Sequence, residues 1–109
     1  MSENNTASTK RINWANTVEA YDVVVNTARD LMVKKNHDYG DSWRLMRLPS
    51  ITDQIYVKVM RIRELEALQA KGQDPKVSEG IESEYRDILN YAAFASIKIE
   101  EQKEFKNKE

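Results

Sequence analysis

The chain has 109 residues and a formal net charge of −1 at pH 7, with 32% charged and 40% apolar residues. This length supports one domain, and the low numbers of glycine and proline, three and two, favour helices over sheets. The chain has no cysteine, which excludes disulfides and thiolate metal sites, and no apolar run near the roughly 20 residues that span a bilayer. We therefore expect a soluble, cytoplasmic, all-α protein without a membrane partner.

The start of the chain, residues 1–13, is polar and lacks hydrophobic periodicity. It predicts a flexible arm, without the charged and apolar segments of a secretory leader. Residues 14–105 are expected to form a single helical domain, and residues 106–109 a frayed tail.

The first helix is predicted to begin at Asn16 or Thr17, either of which is a suitable N-cap. Apolar residues then recur at steps of three and four as far as Met32, which is the spacing of one helix face. This periodicity places the end of the helix near Lys34 or Lys35.

Residues 36–50 show no sustained periodicity and contain Gly40 and Pro49. They predict a structured loop with short helical turns between the first and second helices. Because the loop is rich in aromatic and basic residues, it is the first place to look for function.

Two further helices follow from the pattern. Ser50 and Asp53 resemble a capping pair that starts the second helix, which should end near Gly72, and Ser78 is a candidate cap for the third. Residues 103–109 are expected to fray. The core stripe predicted for the third helix is Ile81, Tyr85, Ile88, Ala92, Ala95 and Ile99.

The third helix has a second, partly apolar edge, which three helices alone would leave uncovered. We therefore expect homo-oligomerisation to complete a larger helical bundle. This edge consists of Leu89, Tyr91, Phe94 and Ile97.

The charge is unevenly distributed along the chain. Residues 34–63 contain seven basic and three acidic residues, a local charge of +4, although the sequence pI is near 5.9. A duplex nucleic-acid binder would have a broad basic face and a high pI, so a small anionic ligand fits better.

The loop residues suit a flat, phosphorylated ligand. Tyr39 and Trp43 offer faces for stacking on a base, Gly40 allows close approach of the backbone, and Arg44 and Arg47 offer guanidinium groups to phosphate. The alternatives are that the rings pack the loop onto the helices and that the arginines form a solvated basic face.

The second and third helices carry charged residues with matching spacing. Glu84 and Asp87 are three residues apart and so share a helix face, which would allow them to hold Mg²⁺. Lys58 and Arg61 have the same spacing and could bind phosphate or form ion pairs with these carboxylates. His37, the only histidine, could contact phosphate or transfer a proton.

The sequence contains no serine elbow, glycine-rich phosphate loop or paired-histidine motif. Any catalysis would therefore use a metal-assisted attack of water on a phosphoanhydride. The catalytic candidates are Glu84, Asp87 and His37.

These residues carry a resemblance to the nucleotide modification associated domain 1 family of bacteria and their phages, over roughly residues 18–100. The resemblance implies a nucleotide ligand and a link to nucleotide modification. It adds Lys35, Asp38, Ser42, Asn90 and Tyr91 to the expected nucleotide-binding residues. The matching positions are Lys35, Asp38-Tyr39-Gly40, Ser42-Trp43, Met46-Arg47, Asp53, Lys58, Arg61-Ile62, Glu84-Tyr85-Arg86-Asp87-Ile88 and Asn90-Tyr91.

The chain more distantly resembles MazG-like all-α nucleotide pyrophosphohydrolases, in which two helices each supply a pair of acids that bind Mg²⁺. Glu84 and Asp87 match the second pair, but Lys58 and Arg61 stand where the first pair would be needed. Three hypotheses follow: a Mg²⁺-dependent hydrolase of nucleotides, a non-catalytic sponge for a nucleotide second messenger, and a structural or partner-binding bundle.

Overall fold

The computed structural model describes residues 11–76 and 80–108. Within these ranges the chain forms three α-helices, α1 (Thr17–Tyr39), α2 (Leu48–Ala70) and α3 (Ile81–Lys108), and a short 3₁₀ helix at Ser42–Leu45, with no strand. The all-α prediction is confirmed. Most of the predicted arm (residues 1–10), the cap predicted at Ser78 and residue 109 lie outside the described residues.

Helix α1 begins as predicted but is longer. The side chain of Asn16 caps it by accepting a hydrogen bond from the backbone N–H of Glu19 at 3.0 Å. The predicted end near Lys34 or Lys35 is wrong, because nothing in the next residues breaks a helix even though the apolar pattern has ended. Gly40 ends it with a positive φ of 74° and ψ of −173°, a backbone conformation open to glycine, and donates its N–H to Asn36 O at 2.8 Å.

Helix α2 starts earlier than predicted. Its N-cap is Arg47, and Pro49 lies in the first turn, where a residue without an N–H is tolerated. The cap predicted at Ser50 is therefore wrong. The predicted end is confirmed, since α2 stops at Ala70 and Gly72 follows with φ of 69°.

Helix α3 is the central element, packing mainly against α2 and less extensively against α1. The buried apolar side chains among the described residues are Ala28, Trp43, Ile51 and Ile62. The core stripe predicted for α3 is wrong for half of its residues, because Tyr85, Ala92 and Ile99 are exposed, and the other three are half-buried. Instead, α3 turns Glu84 toward α2, where two cations of α2 lie beside its carboxylate.

Several large apolar side chains lie on the surface, including Val18 and Tyr21 on α1 and Tyr56 and Met60 on α2. Coverage of such surfaces by another copy of the chain stays a prediction. In the part of the chain that the structure describes, no helix combines the length and the apolar character needed to cross a membrane.

Candidate functional site

The centre of the candidate site is an ion-pair cluster between α2 and α3. Lys58 Nζ lies 3.0 Å from Asp87 Oδ2 and 3.6 Å from Glu84 Oε1. The three side chains are largely buried, with 13%, 17% and 7% of their surface exposed for Lys58, Asp87 and Glu84. Because charges are buried only when they are paired, this cluster fixes the way the two helices face each other.

Two further cations extend the cluster at its edges. Lys35 of α1 approaches Asp87 Oδ1 at 3.7 Å, and Arg61 of α2 approaches Glu84 Oε1 at 3.8 Å. Both distances are too long for hydrogen bonds, and Glu84 Oε1 is buried without a hydrogen-bond donor. Three cations thus face two carboxylates, which leaves a local excess of positive charge.

A cleft of about 380 Å³ opens beside this cluster, between α1, the 3₁₀ segment, α2 and α3. Its volume lies in the range of small-molecule sites. Most of the nucleotide-binding residues predicted from the sequence lie around it, although they come from four separate elements. The predicted residues that line the cleft are Lys35, Tyr39, Gly40, Ser42, Trp43, Lys58, Asn90 and Tyr91, together with the metal candidate Asp87.

Trp43 lines the cleft but is chiefly a packing residue. Only 8% of the residue is exposed, and its ring stacks nearly parallel on that of Phe94 of α3, with the ring centroids 4.5 Å apart. The Arg44 guanidinium lies 4.5 Å from the Trp43 ring centroid and donates to Glu101 at 2.7 Å, while Lys98 Nζ donates to Arg44 O at 2.9 Å. These contacts attach the 3₁₀ segment to α3 and leave little of the Trp43 ring for a base.

Tyr39 is the ring in the cleft with the largest free surface, since 75% of the residue is exposed at the end of α1. Tyr91 lies on the α3 side of the cleft and makes an edge-to-face contact with Phe94. Asn90 has a structural task as well, because its Nδ2 donates to Ala28 O of α1 at 3.0 Å. The amide of Asn90 thereby holds α1 against α3 at the cleft.

The remaining predicted residues lie away from the lining of the cleft. The side chains of His37 and Asp38 are exposed and pair with each other at 3.1 Å. Arg47 is exposed at the start of α2. Arg61 lies with Glu84 in a neighbouring groove of about 580 Å³, whose mainly apolar wall includes Val57 and Met60.

Four other residues of the cleft are not among the site residues predicted from the sequence. Three of them, Met32, Asn36 and Phe94, lie on α1 and α3, and the fourth, Met46, follows the 3₁₀ segment. Once α1 is known to reach Tyr39, the spacing of Met32, Asn36 and Tyr39 places them on one face. The missed cleft residues on α1 could therefore have been found from the sequence if the first helix had been predicted to extend to Tyr39.

The residues present fit a divalent cation poorly. Mg²⁺ prefers six oxygen ligands in octahedral geometry, whereas the two carboxylates here are already paired with cations of the protein. Within residues 11–76 and 80–108, no three His, Asp or Glu side chains cluster as a metal-ligand group. The Mg²⁺ site at Glu84 and Asp87 stays a prediction that the local donor set does not favour.

Fold and site together define a small all-α protein with a basic, partly aromatic cleft. A family model, nucleotide modification associated domain 1, matches residues 35–99, which include the ion-pair cluster and every cleft residue except Met32. The chain belongs to this family. Curated proteins and solved structures give no significant match, and the more distant MazG-like resemblance has no support from these comparisons.

A double-mutant cycle tests whether the cluster contributes to stability. We expect Lys58→Ala, Asp87→Ala and the double variant to give a coupling free energy of about 1–3 kcal/mol, because the pair is largely buried. Denaturant unfolding of the four proteins measures this coupling.

The Glu100 and Lys103 pair on α3 is the matched control, because it has a similar distance of 3.1 Å but is exposed. Its coupling should be below about 0.5 kcal/mol. Equal coupling in the two cycles would contradict a special role for the buried cluster.

Proposed function

We propose that this protein binds a nucleotide in the cleft between α1, α2 and α3. The observation that carries the proposal is the meeting of Lys35 and Lys58, from different helices, at Asp87 beside an aromatic wall. A nucleotide needs both features, since its phosphates require cationic donors and its base requires a flat apolar contact.

The phosphate end of the ligand is assigned to the two lysines. Lys58 makes one contact of hydrogen-bond length, with Asp87, and an ammonium group has three donors. Lys35 is about half exposed and holds Asp87 only at 3.7 Å, so its ammonium group is free to turn toward an anion. The excess of positive charge in the cluster supports this orientation.

The base and sugar are assigned to the other side of the cleft. Tyr39 has an exposed ring for stacking, and Asn36 and Ser42 supply polar groups nearby. Gly40 lines the cleft without a side chain and therefore lets a ligand approach the backbone at this turn. The family description, which concerns nucleotide modification, supports the same class of ligand.

Isothermal titration calorimetry with nucleoside mono-, di- and triphosphates tests this proposal. Lys35→Ala should weaken binding of the best ligand about tenfold or more, which corresponds to about 1.4 kcal/mol, because it removes a phosphate contact. Lys34→Ala is the matched control: the residue is adjacent and exposed but does not line the cleft.

Circular dichroism establishes that both variants remain folded. An equal loss of nucleotide affinity in the two variants would indicate that the nucleotide is attracted by the overall positive charge of this surface and not by a specific site. Absence of heat with every nucleotide would contradict the proposal and favour the structural or partner-binding bundle.

Between the two nucleotide hypotheses, holding the ligand is better supported than hydrolysing it. Both carboxylates that would hold a catalytic metal have a lysine or arginine of the protein within 4 Å. The protein would then act as a sponge, releasing the nucleotide chemically unchanged.

Phosphorus NMR of the nucleotide panel distinguishes these hypotheses. After long incubation with the protein and Mg²⁺, we expect the spectra to show the starting nucleotides alone, because the carboxylates are paired with cations. Release of pyrophosphate or phosphate that depends on both protein and Mg²⁺ would favour the hydrolase.

A further inference from the structure

The two acids of α3 are spaced like metal ligands, but a lysine lies between them. Glu84 and Asp87 are one turn apart on the same helix face, and Lys58 Nζ lies within 4 Å of an oxygen of each. The Lys58 side chain is largely buried, with an exposed fraction of 13% that lies between those of Glu84 (7%) and Asp87 (17%). In a metal-dependent site, a divalent cation would take this position between the two acids.

Burial explains why some cation is required there. A carboxylate as buried as Glu84 is stable in its ionised form only beside positive charge. Arg61 approaches Glu84 Oε1 at 3.8 Å and Lys35 approaches Asp87 Oδ1 at 3.7 Å, but both of these side chains are about half exposed. Lys58 is thus the most deeply buried positive charge among the described partners of the two acids.

We propose that Lys58 is a built-in replacement for a divalent cation, so that the cleft binds phosphate without Mg²⁺. The phosphate ligand in this inference rests on the proposed nucleotide binding. The role of Lys58 between Glu84 and Asp87 rests only on the distances within the cluster. The ammonium supplies one positive charge between the two carboxylates, Arg61 and Lys35 supply the others, and the remaining N–H donors of Lys58 are offered to phosphate. Lys58 is therefore a phosphate ligand whose position is set by Asp87.

The substitution Lys58→Glu should convert this arrangement into a metal site. A glutamate and a metal–oxygen bond of about 2.1 Å together span a distance similar to that of a lysine side chain. The variant would place three carboxylates around one point, and their mutual repulsion makes a divalent cation the natural counterion. Arg63→Glu is the matched control, since it makes the same charge change at an exposed position of α2.

The experiment has two arms. In the first, nucleotide binding to the unmodified protein is measured in millimolar Mg²⁺ and in EDTA, and we expect affinities within about twofold. In the second, melting temperature and Mn²⁺ electron paramagnetic resonance are measured for the three proteins. Mn²⁺ should raise the melting temperature of Lys58→Glu by several degrees and bind to it, with no such effect on the unmodified protein or on Arg63→Glu.

Each outcome bears on the inference separately from the proposed function. Loss of nucleotide affinity in EDTA by about tenfold or more, or saturable Mn²⁺ binding to the unmodified protein, would overturn the inference. If Lys58→Glu does not fold with or without Mn²⁺, the unmodified protein still tests the inference: saturable Mn²⁺ binding to it would overturn the inference, and absence of such binding would support it. If no nucleotide binds, the proposed function fails, while the Mn²⁺ arm continues to test the role of Lys58.

Discussion

The contact of Lys58 with Asp87 and Glu84 is the constraint on which the arrangement of the helices depends. Burying Glu84 between α2 and α3 is costly unless a cation is buried with it. The α2 and α3 faces are therefore matched by charge as well as by apolar packing. Lys58 also lines the cleft, so the contact that pairs the two helices places a positive charge where an anion could bind.

The rest of the site is assembled around this contact by two attachments to α3. The stack of Trp43 on Phe94 holds the 3₁₀ segment, and the hydrogen bond from Asn90 to Ala28 O holds α1. These attachments bring Tyr39 and Lys35 to the cleft from the end of α1. Trp43 and Arg44 have side chains of types that bind ligands, but their main contacts are with α3, and these contacts hold the 3₁₀ segment beside the cleft.

The sequence predicted the helices well because apolar residues at steps of three and four report helix faces directly. It misplaced the end of α1 and the start of α2, because Lys35–Tyr39 and Leu48–Ser50 are compatible with helix without contributing to an apolar stripe. It identified most cleft residues by chemical type, and the spacing of Lys58 with Arg61 and Glu84 with Asp87 indicated a shared interface. The sequence left open whether those charges form ion pairs, and it did not reveal that Phe94 covers Trp43. Both features are contacts between residues that are distant in sequence.

The central claim is that the cleft beside Lys58 is the ligand site, and methyl NMR of methionine-labelled protein tests it most directly. Met32 and Met46 line the cleft, whereas Met60 lines the neighbouring apolar groove. Titration with the best-binding nucleotide should shift the methyl signals of Met32 and Met46 and leave that of Met60 in place. A shift of Met60 alone, or no shift at any of the three, would contradict the account.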